Sequence, residues 1–365
     1  MITIPVNVKP RPYDALIETG LLSHAGTQLR NLLPAGSRLF VVTVTPVRRK
    51  WGKKLMGSLT AAGFDAKMLE MPEGERFKRL QTVETLAEKL TIAGADRNAV
   101  ILAFGGGVCG DVAGFLASMY MRGVEVVQIP TTVLAQVDAS VGGKTGVNLK
   151  AGKNLIGAFW QPRVVLIDPA VLSSLPPREY RAGLYEALKC GVIGNPELFR
   201  EFEERRDKIA QRDPATVERL IAESVRLKAH VVSVDEKENG LRRVLNFGHT
   251  IGHALEAETG YRSLLHGEAV AWGMIAAAEV AAGVGKLVDA EALRIREATL
   301  AVGRLPKLEL KPKSILRRLQ SDKKTRNGHV HFVLPTAIGK VEIVSDVPER
   351  VVLAAVEEIQ ELSRG

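Results

Sequence analysis

Cysteine is nearly absent: Cys109 and Cys190 are the only two in 365 residues, which excludes a disulfide-built scaffold and fits a reducing compartment. Long apolar runs are missing too. The most apolar helical stretch, 269–285, is interrupted by Glu279 and falls short of bilayer-spanning length. The first residues, where Ile2, Ile4, Val6 and Val8 alternate with Thr3, Pro5 and Asn7, read as a strand and not as a signal peptide. A cytoplasmic chain without a membrane segment is therefore expected. Aromatic residues make up only 5%, and the basic excess, 50 Lys and Arg against 41 acids, is scattered along the chain. That combination argues against a nucleic-acid partner, although the net charge of +9 would suit anionic small molecules around a cleft.

The chain is ordinary in hydrophobic content, at 46%, and long enough for two domains. Its first half alternates strand and helix signals. Apolar stretches at 38–44, 66–71, 99–104, 124–129 and 164–167 read as strands, with an amphipathic helix at 82–93 closed by Gly94. Such alternation predicts an α/β domain with a mostly parallel sheet. After Asp168 the pattern turns helical, over 180–190, 196–209, 214–236, 248–258 and 267–283, followed by a hairpin at 329–344 and a closing helix at 347–362. The division falls near residue 170, giving domains 1–170 and 171–365.

Three of the seven histidines, His249, His253 and His266, stand within 18 residues. His249 and His253 are four apart and would share a helix face. Imidazole ligates metals and titrates near neutral pH, so metal binding, proton transfer or both are open at this point. Glu186 and Lys189, three apart, would also share a helix face, where an exposed ion pair is the usual meaning. Lys228, Arg242 and Asn246 are individually unremarkable and read as exposed positions.

Gly105 to Gly110 satisfies G-x-G-x-x-G after the strongest strand, and the helix that follows would add positive potential for a pyrophosphate. The acid expected some 20 residues on is not clearly present, so the motif alone is weak. Beyond it Thr131, Thr132, Asp138, Lys144, Lys153 and Asn154 crowd hydroxyls, amides and cations behind a strand end, as an anionic ligand requires. Gly143-Lys144-Thr145 lacks the leading glycine of a P-loop, which excludes a nucleoside triphosphatase of that kind.

Taken together, Pro72–Lys78, Gly105–Asp111, Tyr120–Gly123, Pro130–Thr132, Gly142–Thr145, Gly152–Asn154, Gly183–Glu186, Asn246–His253, Leu265–Glu268 and Asp322–Lys324 resemble 3-dehydroquinate synthase, of the sugar-phosphate cyclase superfamily. The resemblance implies a Rossmann-like α/β dinucleotide-binding domain followed by a mainly α-helical metal and substrate domain. It implies conversion of 3-deoxy-D-arabino-heptulosonate 7-phosphate into 3-dehydroquinate and phosphate, within the shikimate pathway. NAD would act catalytically beside a divalent metal, zinc or cobalt. The steps implied are transient oxidation at C5, phosphate elimination, re-reduction, ring opening and an intramolecular aldol closure.

Residue by residue, the resemblance implies Glu186, His249 and His266 as metal ligands. It implies Glu75, Lys78, Gly106, Gly107, Asp111, Thr131, Thr132, Lys144, Lys153 and Ser174 around the cofactor. The catalytic pocket would take Asp138, Lys144, Asn154, Lys189, Lys228, Arg242, Asn246, His253 and Lys324, with Arg122 donated across a homodimer interface. Two features depart from the family pattern. Val44 and Pro46 stand where acidic or polar residues are usual, followed by Arg48-Arg49-Lys50, and Ser174 replaces a threonine. An arginine in place of the ribose-binding acid is how other dinucleotide folds accept a 2′-phosphate, so NAD stays the expected cofactor while these residues leave weakened NAD discrimination and use of NADP open. The nearest alternative function is a sister cyclase acting on a carboxylate-free sugar phosphate; a metal-dependent alcohol dehydrogenase would not need the Lys144 and Lys153 pair.

Overall fold

The computed structural model describes residues 1–325, 330–345 and 347–364, with backbone alone at 321–325. The side chain of Lys324 and all of His329 thus lie outside the described residues. Eleven strands are present among them: β1 (Ile2–Val6), β2 (Tyr13–Ile17), β3 (Arg38–Val44), β4 (Ala66–Met71), β5 (Ala99–Gly105), β6 (Glu125–Pro130), β7 (Lys144–Leu149), β8 (Gly152–Phe159), β9 (Val164–Ile167), β10 (His331–Ala337) and β11 (Lys340–Ser345). The chain forms two compact units, Met1–Pro176 with Val217–Lys237, and Pro177–Thr216 with Glu238–Gly365.

The first unit is built on a seven-stranded sheet of order β1-β2-β9-β6-β5-β3-β4. All neighbours are parallel except β1 and β2. β5, with the sequence AVILAFG, is buried along its whole length, as a central strand covered on both faces must be. The α/β expectation is met. Lys144 and Lys153, read as loop residues, instead sit on an antiparallel hairpin, β7 with β8. The turn glycines and polar side chains of that stretch hid its strand alternation.

A division at residue 170 assigns everything beyond it to one body, whereas Val217–Lys237 belongs with the first unit. The reason is a set of polar ties. The Thr19 amide and hydroxyl both donate to Glu218 Oε2, at 3.0 and 2.8 Å. The Asn7 amide donates to Ser233 Oγ (2.8 Å) and Gln161 Nε2 to Glu236 Oε1 (2.7 Å).

The second unit is mainly helical. Its helix His266–Gly283 is buried on nearly every side, which explains why it is apolar all round without being a membrane span. Among the described residues no helix is long and apolar enough to cross a membrane. The stretch 196–209 is two helices, Pro196–Glu204 and Arg206–Ala210, because Arg205 leaves helical geometry at φ −119°, ψ 24°.

Candidate active site

Glu186 lies on the helix Pro177–Gly194, His249 opens the helix His249–Glu258, and His266 opens His266–Gly283. Their side chains converge within the second unit. His266 Nε2 is 3.5 Å and His249 Nε2 3.8 Å from Glu186 Oε1. One ligand atom from each of the three lies within 4.8 Å of the others. Glu186 is fully buried, and neither carboxylate oxygen has a hydrogen-bond partner of acceptable geometry among the described residues, although Lys189 Nζ pairs with Oε2 at 2.5 Å. Lys189 already supplies a cation at Oε2; Oε1, faced by the two imidazole nitrogens, is the oxygen that a metal ion would complete.

Both imidazoles are held from behind. His249 Nδ1 lies 3.1 Å from the Phe247 carbonyl oxygen, and His266 Nδ1 3.3 Å from Glu256 Oε2. Outer partners of this sort fix the ring and direct Nε2 at a metal. Burial, with the charges of Lys189 and the neighbouring histidines, holds His249 well below the usual histidine range. It is therefore neutral, the form that ligates. Burial pulls His266 down as well, but its hydrogen bond to Glu256 and the carboxylates of Glu186 and Glu256 outweigh that and raise it. A second trio, His253, Glu256 and His266, also falls within ligand reach. Glu186 with its two Nε2 atoms fits an ion better, because Glu256 already engages the far nitrogen of His266 and His253 is exposed.

Around this cluster the sequence expectation of exposed polar residues fails. Lys189 is buried, so its pair with Glu186 is internal and not a surface contact. Arg242, in the turn Leu241–Asn246, is 1% exposed. Asn246 Nδ2 donates to Glu238 Oε1 at 2.7 Å. The ring centroid of His253 is 5.2 Å from that of His249 and 6.0 Å from that of His266, which puts it beside the trio.

The first unit holds a second polar centre. Gly106 and Gly107 sit where β5 passes into the helix Gly107–Met119. A Cβ on Gly106 would lie 3.0 Å from Thr132 Cγ2, so a side chain there would press on Thr132. Thr131 Oγ1 is buried with no hydrogen-bond partner among the described residues. An open helix N-terminus beside an unanswered hydroxyl fits the phosphates and ribose of a dinucleotide. Lys78, itself buried, pairs with Asp111 and donates to Asn154 Oδ1 at 2.5 Å. Asn148 Nδ2 donates to Glu75 Oε1 (2.7 Å), and Asn148 Oδ1 accepts from the Asn154 amide (2.9 Å). Burial pushes the Cys109 thiol up to about 12, so it stays protonated near neutral pH. Lys228, on the helix Pro214–Val234, is buried and pairs with Asp138 Oδ1 at 2.6 Å.

The remaining expected residues are placed as follows. Lys144 is exposed at the start of β7 and Lys153 half-buried on β8. Ser174 Oγ accepts from Trp51 Nε1 at 2.7 Å. Arg122 is exposed in a left-handed turn with φ 68°. Two participants were missed by sequence reading. Glu256 is three residues after His253 and so on its helix face, a signal that was available; Asn148, between Lys144 and Lys153, carried none.

The family models for the N-terminal and C-terminal parts of 3-dehydroquinate synthase match residues 68–182 and 183–325. The 3-dehydroquinate synthase of Koribacter versatilis is 56% identical over 363 residues, spanning 100% of this chain and 99% of its own. That of Gloeobacter violaceus is 47% identical over 354 residues, 96% of this chain and 97% of its own. Among solved structures, 2-epi-5-epi-valiolone synthase from Streptomyces hygroscopicus subsp. jinggangensis, with NAD+ and Zn2+ bound, matches with a TM-score of 0.87 at 31% identity, covering 97% of this chain and 98% of that one. A 2-deoxy-scyllo-inosose synthase complexed with carbaglucose-6-phosphate, NAD+ and Co2+ gives 0.86 at 27% identity, covering 98% and 99%. The chain belongs to the 3-dehydroquinate synthase family.

Proposed function

We propose that the chain catalyses the reaction of its family, converting 3-deoxy-D-arabino-heptulosonate 7-phosphate into 3-dehydroquinate and phosphate. The observation that carries this is the fully buried Glu186 faced by two imidazole Nε2 atoms, with buried Lys189 and Arg242 in the same unit. Glu186, His249 and His266 would hold the divalent ion, and Glu75, Lys78, Gly106, Gly107, Asp111, Thr131, Thr132, Lys144, Lys153 and Ser174 would form the nucleotide site. When bound, the ion supplies Lewis acidity toward substrate hydroxyls, and NAD+ supplies a hydride acceptor that returns its hydride within the cycle.

The chain's own groups divide the remaining work. Arg242 offers a fixed, planar cation suited to the substrate carboxylate. Lys189 and Lys228 supply compact charges for the phosphate, and Asn154 and Asn246 supply amide groups that orient hydroxyls. His253, exposed beside the trio, is the group positioned to hold a proton near the departing phosphate. Asp138 keeps Lys228 aimed through their 2.6 Å pair. Lys324 is assigned to the same anion from its motif.

A homodimer is part of this reading. Leu80, Met119 and Met121 are 40%, 53% and 45% exposed around a groove whose lining includes Met121, the residue before Arg122, an apolar surface that a second copy would cover. Two buried cysteines, neither in a disulfide, support a cytoplasmic location.

The deciding assay mixes purified protein, divalent metal and catalytic NAD+ with the heptulosonate phosphate. Phosphate release without accumulation of NADH is the expected result. Inactivity there, together with turnover of sedoheptulose 7-phosphate, overturns the reading in favour of a carboxylate-free sister cyclase.

A further inference from the structure

The carboxyl ends of β3 and β5 flank a reversal in the sheet. From β3 the chain moves outward to β4, then returns to place β5 on the other side of β3, giving the order β6-β5-β3-β4. Open α/β sheets take ligands in the crevice at such a switch point. On the β5 side stand Gly106, Gly107 and the helix N-terminus. With the pyrophosphate there, the adenosine ribose faces the β3 side. In this chain that side offers Val44, Thr45 and Pro46, none of which carries a charge.

A carboxylate nevertheless reaches the spot from the next strand. Glu70 on β4 is in register with Thr43 on β3. Its Oε2 accepts a hydrogen bond from Thr45 Oγ1 at 2.8 Å, and its Oε1 pairs with Arg48 Nε at 2.7 Å. Both side chains stay partly open to solvent, at 36% for Glu70 and 46% for Arg48. The guanidinium that could receive a 2′-phosphate is thus already matched by an anion, and the anion stands over the first turn after β3. Arg49 and Lys50 are exposed, where solvent and salt screen them.

We propose that Glu70 selects NAD+ over NADP+, supplying from β4 the acidic group that the end of β3 lacks and neutralising Arg48; this rests on the nucleotide site assigned above. Glu70 thereby answers, in favour of NAD+, the question of NADP use that Val44, Pro46 and the basic run left open. A 2′-phosphate would meet a fixed like charge, whereas a ribose hydroxyl would meet an acceptor.

Calorimetric titration of the metal-loaded, full-length protein with NAD+ and with NADP+ tests this without turnover. The wild type is expected to bind NAD+ at least about tenfold more tightly. Glu70→Gln should narrow that ratio by about tenfold through tighter NADP+ binding, and adding Arg48→Gln should remove the gain. Equal affinities in the wild type, or a ratio that Glu70→Gln leaves unchanged, overturn the proposal while leaving the nucleotide site standing. Binding of neither nucleotide overturns the site assignment and this inference together. Should Glu70→Gln fold poorly, Arg48→Gln alone decides: it must leave the wild-type preference in place, and a preference lost there counts against Glu70.

Discussion

Gly267 and Ala182 touch through backbone: a Cβ added to Gly267 would overlap the Ala182 carbonyl oxygen. Ala182 belongs to the helix that carries Glu186, and Gly267 follows His266 on its own helix. The missing side chain therefore sets how closely the carboxylate and the imidazole approach. Gly267→Ala should destabilise the protein by roughly 1–3 kcal/mol, the usual cost of overpacking, and lower its metal content. Thermal melting and elemental analysis measure both, and unchanged metal content would show that the spacing is set elsewhere.

His266→Ala and His253→Ala should separate the two duties of the histidine cluster. The first should remove bound metal and activity together, because it deletes an Nε2 that faces Glu186. The second should keep the metal but slow turnover by about 100-fold or more, the usual worth of a positioned proton carrier. Loss of metal in His253→Ala with retention in His249→Ala means that the alternative trio, His253, Glu256 and His266, is the true site.

Lys78 joins Asp111 and Asn154 in the first unit. Burial raises the Asp111 carboxyl, and Lys78 opposes the shift by charge and hydrogen bond. Lys78→Met should cost about 1–3 kcal/mol, less than a fully buried pair because Asp111 keeps 22% exposure. It should also weaken NAD+ binding, while metal content stays at the wild-type level. Calorimetry and elemental analysis on one preparation distinguish this from general unfolding.

Glu258 is the last residue of the helix that begins at His249, and its Oε2 accepts from Arg318 Nε at 2.6 Å and Ser314 Oγ at 2.8 Å. Those bonds, chiefly the one from Arg318, hold its carboxyl below the ordinary 4.5. A depressed pKa adds stability that is complete above 4.5 and disappears as pH falls through the lowered folded value. Glu258→Gln should therefore melt below the wild type near pH 7 and converge with it in acid, once pH has fallen through the lowered folded value. A gap that persists in acid points to packing, not charge, as the role of this residue.

The layered first unit was legible because β5 is apolar throughout, its neighbours β3 and β6 are mostly so, and the helix before β5 is closed by Gly94. The site was legible as a set of motifs, whereas the burial of its members was not. Lys228 and Arg242 looked like exposed cations because a charged side chain carries no mark of its surroundings in the sequence; their burial depends on long-range partners such as Asp138, 90 residues from Lys228. The β7–β8 hairpin was missed for a local reason, since Gly142, Gly143, Gly146, Gly152 and Gly157 break up the alternation that signals strands. Spacing alone paired His249 with His253, and only the fold brings Glu186 and His266 to the same point.

The chain passes between its two compact units three times, at 176/177, 216/217 and 237/238. The middle passage lies inside the unbroken helix Pro214–Val234. Neither unit is therefore a contiguous stretch that can be cloned or excised with one cut. A fragment beginning at 177 would carry Glu218, Lys228 and Ser233 away from Thr19, Asp138 and Asn7, leaving a helix without its polar partners. Nicking at 176/177 by a protease should accordingly leave two fragments that co-purify, held together by a sheet and a helix that share no peptide bond across the cut.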